Sequence, residues 1–241
     1  MVDLDLQLEQ KQFNAAMYKY TSRKIYKLFG KLVSVVNVSF QIYLLYLITQ
    51  ISISAFWNVN AFFAAFILTD FVNGLVHMIM DNTAGYNSIA GPLIANFHLH
   101  HKKPMYKKSP ILFVYFNESG AKVWLVGYLF IVSIILGFSN PNPVAAYILV
   151  YVGILSSVAE VSHYLCHTSD SGIFMFLSKI GVFLSKQHHA KHHLKDNTNY
   201  AFLNGCTDPL INLIAGKFYK GYKETTDCHF AQYTGEGSEN R

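Results

Sequence analysis

Eleven histidines are spread over 241 residues, and four of them, His188, His189, His192 and His193, fall within six positions. Imidazole ligates metals, carries protons near neutral pH and is costly to bury without a partner. On a helix turning about 100° per residue these four lie at about 0°, 100°, 40° and 140°, so one face presents them all. His163 and His167 are an i, i+4 pair, about 6 Å apart along a helix axis, and Glu160 stands one turn earlier on the same face. His100 and His101 are adjacent, with His98 nearby, and His77 lies upstream. An interior, interrupted cluster of this kind is not an expression tag.

Imidazole suits zinc, copper, iron and nickel. A zinc enzyme uses about three protein ligands and keeps one position open. Eight or nine clustered histidines exceed that need; they supply two metals with roughly three to five nitrogens each. Two histidine-ligated irons suit oxygen activation for attack on C–H bonds too strong for acid–base chemistry. Glu160-Val-Ser-His163 is not the H-E-x-x-H of a zinc protease. His98 reads equally as a ligand or as a polar loop residue. His229 stands alone in the tail and reads as an ordinary polar residue.

The elements that must position these residues are apolar. The chain is 52% hydrophobic and only 14% charged, against about 25% charged in a typical soluble domain. Residues 32–69 contain no Asp, Glu, Lys or Arg, and neither do residues 123–159. A spanning helix needs roughly 20 apolar residues, so each run is about two helices long. Asn58-Val59-Asn60 and Ser139-Asn140-Pro141-Asn142-Pro143 supply turn residues near the two midpoints. The expected architecture is all-α and integral to a membrane: four transmembrane helices in two hairpins, about 33–57, 61–80, 122–138 and 144–166. Residues 1–31 form an N-terminal segment, 32–223 a membrane domain and 224–241 a flexible tail. The first apolar run is too long and too far from the N-terminus for a cleaved signal.

Every Lys and Arg falls in the N-terminal segment, the central loop from Lys102 to Lys122, or the region from Lys179 onward. Four spans with both termini cytosolic give this distribution by the positive-inside rule, and the histidines then cap the cytosolic side. The net charge of +5 reads as attraction to anionic headgroups rather than to nucleic acid. Residues 109–116 and 172–185 are apolar but too short to cross, and are expected to lie in the interface. Asp208-Pro209 opens a short helix to about residue 219, with Asp208 as the cap. Asp70 is a carboxylate inside the second span, an expensive placement; it is expected to orient a histidine from another helix, as outer carboxylates do around metals. Glu160 reads as a ligand or as such an outer partner. Cys166, Cys206 and Cys228 have no paired spacing and imply no disulfide framework.

In chain order, Asp70-Phe-Val-Asn-Gly-Leu-Val-His77, His77-Met-Ile-Met-Asp81-Asn82, His100-His101-Lys-Lys-Pro104, His163-x-x-x-His167, His189-Ala-Lys-His192-His193 and Asn199-Tyr200 resemble the Kua family of lipid desaturases. That family includes plasmanylethanolamine desaturase and the plant plastid desaturase that places a trans double bond in phosphatidylglycerol. The resemblance covers about residues 60–215. It implies a non-haem di-iron oxidoreductase that uses O2 and an external electron donor, such as cytochrome b5 or ferredoxin, to desaturate a phospholipid chain. It implies His77, His100, His101, His163, His167, His189, His192 and His193 as ligands. Asp81 and Asn199 also belong to its motifs; His188 and His98 lie at less regular positions. The loop after Pro104 reads MYKKSPILFVYFNES and lacks the histidine and acid found there in plasmanylethanolamine desaturases. The resemblance therefore bears on the reaction class and leaves the chain, alkyl or acyl, open. The same ligands would serve a di-iron lipid hydroxylase, and from the residues alone a metal carrier or a zinc hydrolase also stands.

Overall fold

The computed structural model describes residues 2–102, 106, 108–195, 197–219 and 221; for residues 2–6 and Lys102 only the backbone is described. Every regular element among them is helical. Ten α-helices run in order: α1 Val2–Ser22, α2 Lys24–Thr49, α3 Ala55–Asp81, α4 Gly91–Lys102, α5 Ile111–Glu118, α6 Val123–Phe138, α7 Pro143–Thr168, α8 Gly172–Lys179, α9 Lys186–Leu194 and α10 Asp208–Phe218. A 3-10 turn, Ser119–Ala121, joins α5 to α6. His229, Cys228 and residues 224–241 lie outside the described residues.

Helices α2, α3 and α7 are each long and apolar enough to cross a membrane. The fourth apolar stretch is bent: α5 with its 3-10 turn meets α6 at 91°, and the two pass as a span only together. The protein is therefore a helical membrane-type chain with three to four candidate spans.

The first hairpin break falls earlier than its asparagines suggest. It lies at residues 50–54, where β-branched Ile51 and Ile53 alternate with serines and the Ser54 side chain accepts from the Trp57 N–H. Asn58 and Asn60 are inside α3. Their polarity is satisfied there: Asn60 Nδ2 donates to Phe56 O (2.7 Å) and Asn58 Oδ1 accepts from the Tyr151 hydroxyl (2.6 Å). The second break is as expected. Asn142 Oδ1 accepts from Val144 N and Ala145 N, and Pro143 opens α7 where its missing N–H costs nothing.

Helices α3 and α7 pack against each other and end together, so His77 and Asp81 come to lie beside His163 and His167. Polar side chains tie the surrounding helices to this pair. Gln41 on α2 donates to Gly153 O (2.9 Å) and Ser157 Oγ (2.8 Å) on α7, and accepts from the Tyr115 hydroxyl of α5 (2.7 Å). Asn37 reaches the carbonyls of Ser119 and Lys122. In an apolar surrounding such bonds fix helix register, because packing against lipid alone does not. Gly74 allows the returning chain to close on α3: a Cβ there would sit 2.4 Å from Ile211 Cδ1 and 3.1 Å from Ala201 Cα.

The short elements carry apolar side chains on their outer surfaces. Leu112 and Phe113 on α5, Ile173 and Phe176 on α8, and Leu213 and Phe218 on α10 are all exposed. Helix α1 packs onto the loop after α3 and onto α4. Phe13, Ala16 and Met17 of α1 are buried with Tyr86, Ile94 and Ala95. At the far end, α10 begins at Asp208 rather than after it, with Thr207 in the cap position.

Candidate metal centre

Five imidazoles converge at the end of α7. His163 and His167 come from α7, His189 and His193 from successive turns of α9, and His100 from α4. Nε2 of His100 lies 3.1 Å from Nε2 of both His163 and His167. Nε2 of His189 lies 3.0 Å from that of His163 and 2.9 Å from those of His167 and His193. Ser185 sets the register of α9 by accepting from His188 N as its N-cap.

A second group adjoins the first at the end of α3. His77 and Asp81 are i, i+4 neighbours on α3, joined by His101 from α4 and His192 from α9, and all four are buried. Asp81 Oδ1 lies 2.9 Å from His101 Nε2; Asp81 Oδ2 lies 3.3 Å from His192 Nε2 and 3.5 Å from His77 Nε2. Each adjacent pair is thus divided between the groups: His100 and His193 face the first, His101 and His192 the second.

The outer nitrogens define what the inner ones offer. Nδ1 of His77 faces Tyr200 O (2.7 Å), that of His192 faces Thr198 O (2.9 Å), and that of His193 faces His101 O (3.3 Å). A carbonyl accepts only, so each Nδ1 carries the proton and each neutral ring turns an Nε2 lone pair inward. In the second group those lone pairs face Asp81 Oδ2, which is buried and, among the described residues, has no partner of good hydrogen-bond geometry. Acceptors facing acceptors in a buried site are unfavourable unless a cation lies among them. In the first group, nitrogen separations of 2.9–3.1 Å equal the edge of an octahedron whose metal–nitrogen bonds are about 2.1 Å. Both donor sets fit transition-metal ions.

Burial keeps the rings neutral and ready to donate. It holds His100 and His189 well below the usual histidine range and lowers His193 to about 2, with the neighbouring histidines acting in the same direction.

The other candidate residues lie around the groups rather than in them. Glu160 has one oxygen 3.1 Å from Lys122 Nζ and the other 3.8 Å from His163 Nδ1. His98 is buried, with Nδ1 2.7 Å from the Tyr86 hydroxyl and Nε2 2.9 Å from Met80 O, so it straps α4 to the end of α3. His188 turns away to Asp208 Oδ2 (2.5 Å), and Asn199 donates to the His188 carbonyl (2.9 Å). Asp70 differs from expectation. Its oxygens accept from Asn204 N, Gly205 N, Thr207 N and the Thr207 hydroxyl at 2.7–3.1 Å, so it anchors the loop before α10 instead of orienting a histidine.

Two residues here carry no clear sequence signal. Tyr106 places its hydroxyl 3.2 Å from His163 Nδ1 and its ring against His100 and His167. Lys122, at the head of an apolar run, looks like a flanking charge, yet it is buried and bonds both Asn73 and Glu160. A charged residue opening the apolar run and the carboxylate that ends it, Glu160, were the available hints.

Paired histidine clusters at the joined ends of long apolar helices mark a helical, membrane-type chain with two donor groups that fit metal ions. The chain belongs to the lipid desaturase domain family, which it matches over residues 66–224, in agreement with the resemblance to the Kua enzymes. Lipid desaturation is an oxidoreductase function, and the family places the chain in a lipid and membrane context. No curated protein and no solved structure matches it.

Proposed function

We propose that the chain is an O2-dependent desaturase of phospholipids that carries two non-haem irons, one in each histidine group. The observation that supports this reading is the pair of adjoining donor sets, four imidazoles with a fifth, His163, against two of them in one, and three imidazoles with a carboxylate in the other. Iron held there would supply oxygen activation for attack on an unactivated C–H bond. The protein's part is orientation and exclusion. The carbonyls of Tyr200, Thr198 and His101 aim His77, His192 and His193 inward, and burial of His77, His101, His189 and His192 keeps bulk water from those rings. The overall change is balanced when one CH2–CH2 unit and O2, with two electrons and two protons, give CH=CH and two waters. The electrons come from a small redox protein such as cytochrome b5 or ferredoxin.

The substrate in this reading is an intact phospholipid, modified on an alkyl or acyl chain near its headgroup. Support comes from the location of the groups at the ends of α3 and α7, beside short helices whose outward side chains are apolar. The charge distribution along the sequence supports four spans, with the termini and the histidine groups on the cytosolic side.

The experiment is lipid analysis of a host with and without the chain, alongside iron analysis of the purified protein. A new double bond near the headgroup end of a phospholipid chain, with two irons per chain, is the expected result. A product carrying a hydroxyl, or a protein that holds zinc and no iron, would overturn the reading.

A further inference from the structure

Helix α1 lies outside the residues that match the lipid desaturase family, which begin at residue 66. It is nevertheless joined to the metal centre through a short chain of contacts. Phe13 of α1 is fully buried, and its ring meets Tyr86 edge to face, with centroids 5.4 Å apart. The Tyr86 hydroxyl is 2.7 Å from His98 Nδ1, and His98 Nε2 is 2.9 Å from Met80 O. The Met80 carbonyl can only accept, so His98 donates from Nε2 and accepts from Tyr86 at Nδ1. Met80 immediately precedes Asp81. His98 precedes His100 and His101 on the same helix. Phe13, Ala16 and Met17 also bury Ile94 and Ala95, on the first turn of α4.

Among the described residues α1 is the long helix that packs along α4, while α3 and α7 meet it through His98, His100 and His101. Helix α4 is twelve residues long, marginal by itself in water, yet it must hold one histidine at each donor group. We infer that Phe13 and Tyr86 are positioning residues for both groups, and that α1 is the strap that keeps α4 in place. This rests on the reading of the histidine groups as metal sites. Loss of the Phe13 ring frees Tyr86, Tyr86 no longer fixes the tilt of His98, and the end of α4 gains freedom to carry His100 and His101 away from their partners. Partners beyond the ligands typically alter metal affinity by about 10–100-fold when removed.

The test uses the full chain in detergent or nanodiscs, loaded with ferrous iron. The quantities read are iron per chain, the rate of iron extraction by a chelator, and thermal unfolding. Phe13→Ala and Tyr86→Phe should release iron about tenfold faster than the unaltered chain, and Phe13→Leu, which refills the site, should restore most of the retention. Leu129→Ala opens a cavity in the core between α2, α6 and α7; it should lower thermal stability without changing iron release. If Phe13→Ala does not fold, Tyr86→Phe decides, since it removes one hydroxyl only. Equal release from Tyr86→Phe and the unaltered chain, or equally fast release from Leu129→Ala, would overturn the strap while leaving the metal reading intact. An unaltered chain that binds no iron would overturn both.

Discussion

His100 and His101 are neighbours on α4 but face different partners: Nε2 of His100 lies 3.1 Å from that of His163, and Nε2 of His101 lies 2.9 Å from Asp81 Oδ1. His192 and His193 divide in the same way on α9. Two short helices thus each serve both donor groups, and the spacing between the groups is set by single peptide units.

That division gives the first prediction. His192→Ala should empty the group that contains Asp81, and His167→Ala the five-imidazole group, each leaving about one metal per chain and no desaturation. His229→Ala, at a histidine that stands alone in the sequence, should keep full loading. Elemental analysis of the purified variants is the check; full metal content in His192→Ala would remove Asp81's group from the centre.

Asp70 gives the second. Its two oxygens take four hydrogen bonds from residues 204–207. Asp70→Asn turns an amide NH2 toward N–H donors and should destabilise the chain by about 2–3 kcal/mol. Hydrogen exchange of the amides of Asn204, Gly205 and Thr207 should accelerate. Unchanged protection there would mean that the carboxylate does not hold the loop.

The third concerns acid. Burial lowers His98 to about 4, below its unfolded value of about 6.5. Between those values the folded chain keeps the ring neutral while the unfolded chain binds a proton. Stability of the metal-free protein is therefore fully present above about pH 6.5 and declines as pH falls towards about 4, by up to about 1.4 kcal/mol per pH unit for this ring. His98→Gln can keep both hydrogen bonds and has no such proton, so its unfolding curve should be flatter over that window. A slope identical to that of the unaltered chain would assign the acid sensitivity elsewhere.

Topology supplies the fourth. The breaks lie at residues 50–54 and around Asn140. Cysteines placed at Ser52 and Asn140 should label from the face opposite the N-terminus, in a background lacking native thiols. Labelling of either from the N-terminal face would contradict four spans.

Much of this was readable in the chain because it is local. The i, i+4 pairs His163 with His167 and His189 with His193 follow from helical periodicity, but the same periodicity put His188 and His192 on that face, whereas His188 turns to Asp208 and His192 faces Asp81. Asp81 is one turn from His77, but a buried carboxylate at i+4 has no periodic signature of its own, and only its motif drew notice. Asp70 was misassigned because its true partners come from a loop more than 130 residues later, brought back over Gly74. Asn58 and Asn60 looked like a turn because helix-compatible bonds to Tyr151 and Phe56 cannot be seen in a linear sequence. Tyr106 and Lys122 owe their roles to contacts across α4, α7 and α3, which no window of sequence contains.

The 91° bend between α5 and α6 has a consequence for the surrounding bilayer. Helix α6 has 16 residues, about 24 Å of rise, whereas a hydrocarbon layer is about 30 Å thick. As a fourth span, α6 would fall about 6 Å short of that layer, a mismatch that local thinning of the bilayer would relieve. Headgroups would then sink, and the first carbons of their chains with them, on the flank where α5 packs against α7. The fold would in this way deform its own solvent, presenting the upper part of a lipid chain at a depth that a flat membrane does not offer.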